Sequence, residues 1–411
     1  MSEKIILNIL LIIVAVDFVL ERVLSHLNGR SAKQAIPDEL EGVYDEEQYA
    51  KSQAYRKETG RFEVLTSSIS FVVLLLALFL GWFGELDGFV RSFSPSDLAS
   101  TLIFFSLLYV TIDVLSMPFS WYGTFVIEEK YGFNKTTPKT FVMDKLKGYL
   151  LGILIGGLLL VAMLYLVETM GEGFWLYFWI VITVFTLFMN MFYTSWILPL
   201  FNKLEPLESG ELKEKIETFS SKVNFPLHNI FVMDGSKRSS KGNAFFSGLG
   251  KRKKVVLFDT LIQKHDVDEL TAVFAHEVGH YKKRHIVTST VLSILQTGIM
   301  LFLLSRMLFS AEVSAAMGGE VSAIHLNMMA FGILYTPLSR LLGVFMNILS
   351  RKFEYEADAY AAEKYRAEPL ITALKKMSSD HLSNLTPHPA FVFVHYSHPP
   401  LLQRVRAMSR H

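Results

Sequence analysis

YLLGILIGGLLLVAMLYLV, residues 149–167, runs for nineteen residues without a charged side chain. About 20 apolar residues in a helix match the ~30 Å hydrocarbon thickness of a bilayer, at 1.5 Å of rise per residue. FWLYFWIVITVFTLFMNMF (174–192) and FVVLLLALFLGWF (71–83) read the same way. Working outward from these, seven spans are expected, near 5–24, 64–84, 98–120, 149–168, 174–198, 286–305 and 326–349. The first could pass for a signal peptide. Asp17 and Glu21-Arg22 interrupt it and no small-residue cleavage site follows, so it reads as a retained span.

Composition agrees. Of 411 residues, 51% are hydrophobic and only 19% charged, against about 25% charged in soluble domains. Disorder, collagen and secreted disulfide scaffolds are excluded. With no cysteine there is no disulfide, thiolate ligand or cysteine nucleophile. Forty Lys+Arg against 39 Asp+Glu leave a net +1, so global charge gives no argument for nucleic acid.

The placement of those charges is more informative. Lys4 alone precedes the first span, Arg91 alone lies in 85–97, none lies in 169–173, and Arg306 alone lies in 306–325. The alternate connections are basic, with fifteen Lys/Arg in 199–285 and nine in the tail from Arg351. The positive-inside rule then puts the N-terminus outside and the C-terminus in the cytoplasm. The expected division is 1–200, spans one to five with their loops; 201–285, a polar domain; 286–350, spans six and seven; and 351–411, a polar tail on the same side. Within the polar domain the pattern predicts a helix over 210–224, strands over 228–234 and 254–258, and a helix from Asp266.

That last helix carries His276-Glu277-Val278-Gly279-His280. Histidines at i and i+4 share one helical face, and both imidazoles can reach one zinc at about 2.0–2.1 Å. Glu277, between them, is placed to act as a general base. Catalytic zinc needs three protein ligands and an open position. In Ser350–Tyr360, at the end of the seventh span, Glu354 and Asp358 share a face and Glu356 points elsewhere. Glu354 is taken as the third ligand, and Asp358 as a group orienting a ligand or a nearby strand. On its own that stretch reads as a solvated acidic face; beside the His pair it does not. His285 stands five residues past His280, off the ligand face, and receives no role.

Further stretches carry a resemblance. Val126–Thr137 (VIEEKYGFNKTT), Asn243–Gly248 (NAFFSG), the zinc motif, Phe353–Asp358 (FEYEAD) and Ser397–Pro400 (SHPP) occur in this order. The chain resembles the type I CAAX prenyl proteases, integral-membrane zinc metalloproteases of the gluzincin type. Lys241 and Gly242 depart from that pattern, which commonly has His and Ser there. The resemblance implies seven helices around a water-filled chamber, capped by the protease domain. It points to His398 as a group approaching the substrate to polarise the scissile carbonyl or stabilise the oxyanion. The alternative for His398 is a structural histidine in a rigid Pro399-Pro400 turn. Asn243 would bond the substrate backbone from an edge strand beside the zinc helix, unless it is a turn residue. Arg404 reads as an ion-pair partner. Asp17 and Asp113 lie within spans, where carboxylates face wet interiors.

The expected fold is thus mainly α, a seven-transmembrane-helix protein with a cytoplasmic α+β gluzincin metalloprotease domain. The expected activity is a zinc metalloendopeptidase with one Zn²⁺ per chain. Its substrates would be prenylated, CAAX-type proteins or related membrane-associated peptides. A compact chain with few insertions points to a bacterial or archaeal inner membrane rather than the endoplasmic reticulum. Two alternatives stay open: a heat-shock-type quality-control protease, and a seven-span receptor or transporter without catalysis. Glu277 speaks against the latter, because a binding protein has no use for a base between two ligand histidines.

Overall fold

The computed structural model describes residues 1–32, 36–93, 96–225, 229–247 and 254–410. Gly248, His228 and His411 lie outside the described residues. The first half is helical: α1 (Glu3–Ser31), α2 (Glu46–Phe79), α3 (Trp82–Arg91), α4 (Asp97–Tyr122), α5 (Pro138–Leu151), α6 (Leu158–Met170) and α7 (Phe174–Trp196). β1 (Leu204–Pro206), α8 (Glu211–Lys222), β2 (Asn229–Met233), β3 (Ala244–Ser247), β4 (Lys254–Phe258), α9 (Asp259–Ile262) and α10 (Val267–Lys282) follow. Then come α11 (His285–Ser305), α12 (Ala311–Ala316), α13 (Ile324–Lys364), α14 (Ala367–Asp380), α15 (Pro389–His395) and α16 (Leu401–Met408).

Among the described residues, five stretches are long and apolar enough to cross a membrane: Glu46–Phe79, Asp97–Glu128, Pro138–Leu200, His285–Ser305 and Ile324–Lys364. The third covers 63 residues, roughly 95 Å if straight. It is not straight. Gly171, at φ +55°, turns the chain between α6 and α7, a backbone conformation that side chains with a Cβ rarely adopt. Ile153 and Leu158 are 71% and 69% exposed in this stretch, as a lipid-facing surface requires. α1 is not among the five because Asp17, Glu21 and Arg22 interrupt it. Its charges are matched from α13: Arg340 donates to Asp17 Oδ1 (3.0 Å from Nε, 2.5 Å from Nη2) and to Glu21 Oε1 (2.5 Å from Nη1). Asp113 on α4 is satisfied likewise, accepting from Lys145 Nζ and Tyr149 Oη, each at 2.5 Å. Carboxylates that would be costly in lipid are therefore paired inside the bundle.

The polar part is built around a four-stranded sheet of order β1-β2-β4-β3, with β2 and β4 parallel and β3 antiparallel at one edge. Ile216, Phe219, Phe225, Val255, Leu257, Phe274, Val278, Ala361 and Leu370 form the core that joins this sheet to α8, α10, α13 and α14. Burying each large side chain contributes about 1.5–3 kcal/mol. β3, starting one residue after Asn243, is the edge strand expected there from the resemblance, though the hydrophobic pattern did not mark it; the three-residue β1 was not foreseen. α13 also extends the expectation: the seventh span and the acidic stretch form one 41-residue helix.

The loop after α4 ties the two halves together. Asn134 Oδ1 accepts from the Thr136 amide at 2.8 Å and its Nδ2 donates to Glu129 at 2.9 Å. This turn presents Lys135 N to Arg238 O (3.0 Å) and Phe133 O to Ser240 N (3.1 Å). Lys241 reaches back from the same strand leader to Glu128 at 3.1 Å, with its ammonium 4.0 Å from the Phe133 ring centre. The signature run thus clamps the segment that enters β3.

Candidate metal centre

α10 begins where the sequence says it should. Asp266 caps it, accepting from the Glu269 amide at 2.8 Å, while Glu269 returns a bond to the Asp266 amide. This capping box satisfies donors that a helix start leaves unpaired. His265 (2.9 Å) and Lys376 (2.5 Å) hold the Glu269 carboxylate in place. A helix fixed at its start presents His276 and His280 one turn apart toward α13.

The two helices cross closely because Gly279 has no side chain. A Cβ there would lie 3.0 Å from Ala357 Cα and 3.1 Å from Ala357 O. At this crossing His276 Nε2 and His280 Nε2 are 3.1 Å apart. Glu354, 4% exposed, puts Oε1 3.3 Å from His280 Nε2 and Oε2 3.5 Å from His276 Nε2. His276, His280 and Glu354 are the one set among the described residues whose donor atoms converge as a metal site would need. Donors about 2.0–2.1 Å from a tetrahedral ion are separated by roughly 3.3–3.4 Å, and each imidazole lies at about that distance from one or the other Glu354 oxygen. Glu354 Oε2 is also buried without a hydrogen-bond partner, its nearest cation being Arg404 Nη1 at 3.4 Å. The residues fit a small divalent ion.

The surroundings hold the donors in place. His276 Nδ1 lies 2.9 Å from Asp358 Oδ1, and Arg404 grips the same carboxylate from Nε (2.8 Å) and Nη2 (2.6 Å). Arg404 is buried and plays the ion-pair part expected of it. Burial draws the His276 imidazole down, but the Asp358 and Glu354 carboxylates together more than offset this and leave it raised. Glu277 makes no hydrogen bond or ion pair among the described residues. Burial pushes its carboxyl above the usual range; His276 and His280 pull the other way.

His398 Nε2 reaches Glu354 Oε1 at 3.4 Å, and Ser397 Oγ holds its Nδ1 at 3.0 Å. Its side chain is largely exposed. Asn243 is exposed at the start of edge strand β3, its backbone carbonyl accepting from Phe258 N at 3.0 Å. Its own Oδ1 accepts from the Ala244 amide at 2.9 Å. Sequence reasoning missed His285. An unbroken helix would carry it off the ligand face, but α10 ends at Lys282 and Arg284 adopts φ +60°. That turn brings His285 Nδ1 to 3.0 Å from His280 Nδ1. Glu356 does point away from the triangle, as its spacing requires, and meets His285 Nε2 at 2.9 Å. No local pattern marks a left-handed arginine, so no signal in the sequence could have found this pair.

With this geometry in hand, comparison with known proteins is informative. The family described as "CAAX prenyl protease N-terminal, five membrane helices" matches residues 26–203, and peptidase family M48 matches residues 206–411. The chain is 35% identical over 385 residues to the CAAX prenyl protease 1 homolog of Arabidopsis thaliana, covering 91% of this chain and 90% of that protein. It is 34% identical over 399 residues to CAAX prenyl protease 1 of Saccharomyces cerevisiae, covering 91% and 88%. Its fold superposes on the crystal structure of S. mikatae Ste24p with a TM-score of 0.93, at 32% identity, covering 98% of this chain and 99% of that one.

Proposed function

The chain belongs to peptidase family M48, and from that premise we propose that it is a zinc endopeptidase cutting near the C-terminus of prenylated, CAAX-type proteins. It is a membrane metalloprotease homologous to CAAX prenyl protease 1. The observation that carries the reading is the His276–His280–Glu354 triangle with the unpartnered Glu277 beside it. One zinc per chain would be held by both Nε2 atoms and the Glu354 carboxylate, a donor set suited to catalytic zinc. When bound, zinc supplies a Lewis acid that polarises the scissile carbonyl and lowers the pKa of a coordinated water toward about 7.

The remaining steps belong to the chain. The substrate backbone adds to the open edge of β3, with the Asn243 amide bonding to it. Glu277 takes the proton of the attacking water and returns it to the leaving amine. His398 donates to the developing oxyanion. Asp358 and Arg404 keep His276 and Glu354 in register. The seven-pass count, with the N-terminus outside and the zinc domain cytoplasmic, is proposed from the Lys/Arg alternation. The division at 200, 285 and 350 follows from it. A bacterial or archaeal inner membrane is proposed from the short connections.

The test is cleavage of a farnesylated CAAX peptide by purified protein. Chelation should abolish it and equimolar zinc should restore it. Cleavage that survives metal removal overturns the reading. Equal cleavage of the unprenylated peptide moves the substrate class to that of a quality-control protease.

A further inference from the structure

His285 is the first residue of α11, is 3% exposed, and is not part of the ligand triangle. Its ring is held on three sides. It stacks on Phe353 with centroids 4.1 Å apart and an interplanar angle of 10°. Its Nδ1 is 3.0 Å from His280 Nδ1, and its Nε2 is 2.9 Å from Glu356 Oε2. Phe353 and Glu356 flank Glu354 on the same helix, so one short stretch of α13 supplies both a ligand and the support for this ring.

Proton placement along this line has one consistent solution. Two ring nitrogens 3.0 Å apart share one proton. His280 offers Nε2 to the triangle, so that atom keeps its lone pair and the proton sits on Nδ1. His280 Nδ1–H then donates to His285 Nδ1. His285 carries its own proton on Nε2 and donates it to the Glu356 carboxylate. The opposite arrangement puts a proton on His280 Nε2, pointing into the triangle, and blocks metal binding. His276 Nδ1 faces the Asp358 carboxylate directly, at 2.9 Å.

We propose that His285 is a positioning residue for the metal centre: it fixes the tautomer and ring orientation of His280, and Glu356 in turn fixes His285. The proposal rests on the reading of the triangle as a zinc site. Partners that orient a metal-bound histidine typically change metal affinity by 10–100-fold when removed.

The experiment uses the full-length protein in detergent and measures zinc affinity by competition with a chromophoric chelator. His285→Phe keeps the ring and its stacking on Phe353 but removes both nitrogens. It should raise the zinc dissociation constant about 10–100-fold, with the melting temperature of the metal-stripped protein little changed. His285→Gln keeps the pattern, with a carbonyl to accept from His280 and an amide N–H to donate to Glu356. It should return affinity to within a few-fold of the wild type. Glu356→Ala should weaken zinc in the same direction, and the double variant His285→Phe/Glu356→Ala should be no worse than His285→Phe alone, because the two act in series. Wild-type zinc affinity in His285→Phe, no rescue by His285→Gln, or additive losses in the double variant would each overturn the proposal. Should His285→Phe fail to fold, unchanged affinity in Glu356→Ala does so. A wild type that binds no zinc instead overturns the reading of the centre itself.

Discussion

Glu277 and Glu354 stand beside the same two imidazoles, and their surroundings divide the work between them. The Glu354 oxygens face His276, His280, Arg404 and His398 at 3.3–3.5 Å. Glu277 has no such partner, and burial keeps its carboxyl more basic than usual. On the proposed reading, one acid would hold the metal and the other would be free to move a proton. Glu277→Gln preserves shape and removes the basic oxygen. It should leave zinc content and thermal stability unchanged while peptide cleavage falls by at least about 10²–10⁴-fold. Glu354→Ala should lose metal and activity together. Equal cleavage by Glu277→Gln and wild type would show that the proton carrier is another group, or that a contaminant was assayed; Glu354→Ala separates the two, since a contaminant ignores it. The His pair was legible because helical spacing puts i and i+4 on one face, with Glu277 between them; Glu354 was reached only through its place just after the seventh span, on the side of the His pair. The His285–Glu356 contact joins residues 71 apart around a left-handed arginine, and no local pattern encodes it.

At the scale of elements, the centre exists because α10 and α13 cross closely. The start of α10 was legible from the acidic run that begins at Asp266, and the structure adds the capping box between Asp266 and Glu269. The crossing distance was not. It depends on Gly279 meeting Ala357 and Tyr360, and a glycine inside a helix-forming pattern reads first as a mild defect. On an exposed helix, Gly→Ala would stabilise by up to about 1 kcal/mol. Here a Cβ would press on two backbone atoms of Ala357 that cannot rotate away, and overpacking costs about 1–3 kcal/mol. The second effect wins. Gly279→Ala should lower the melting temperature slightly, and Gly279→Val should lower it more. Both should weaken zinc binding in the same order, because spreading the helices stretches the distances from the imidazoles to Glu354. Zinc affinity in Gly279→Val equal to that of the wild type would show that the triangle does not depend on this crossing. β3 was expected only through the resemblance around Asn243, and for a related reason: at four residues it is too short for its own periodicity to stand out, and pairing with β4 is what makes it a strand.

For the whole molecule, the distribution of charge sets how the protein sits in the membrane. α13 runs for 41 residues, roughly 60 Å, about twice the hydrocarbon thickness. One end therefore projects into water, and if 326–349 is the seventh span Glu354 lies on that projection. The Lys/Arg-rich connections belong to the same end, whereas 306–325 carries Arg306 alone. If the chain crosses seven times with the zinc domain in the cytoplasm, Glu320 and Lys237 face opposite compartments. Both side chains are exposed, and neither belongs to the metal centre. The absence of native cysteine makes the experiment clean, since any introduced thiol is the only one present. A membrane-impermeant maleimide applied to intact cells should label Glu320→Cys and spare Lys237→Cys. Permeabilising the membrane should expose Lys237→Cys while leaving Glu320→Cys unchanged. Inverted vesicles should reverse the pattern. An inverted result for both positions would keep the pass count and flip the orientation. Labelling of both from one side would remove the odd number of crossings between them, and with it the alternation from which the seven passes are argued.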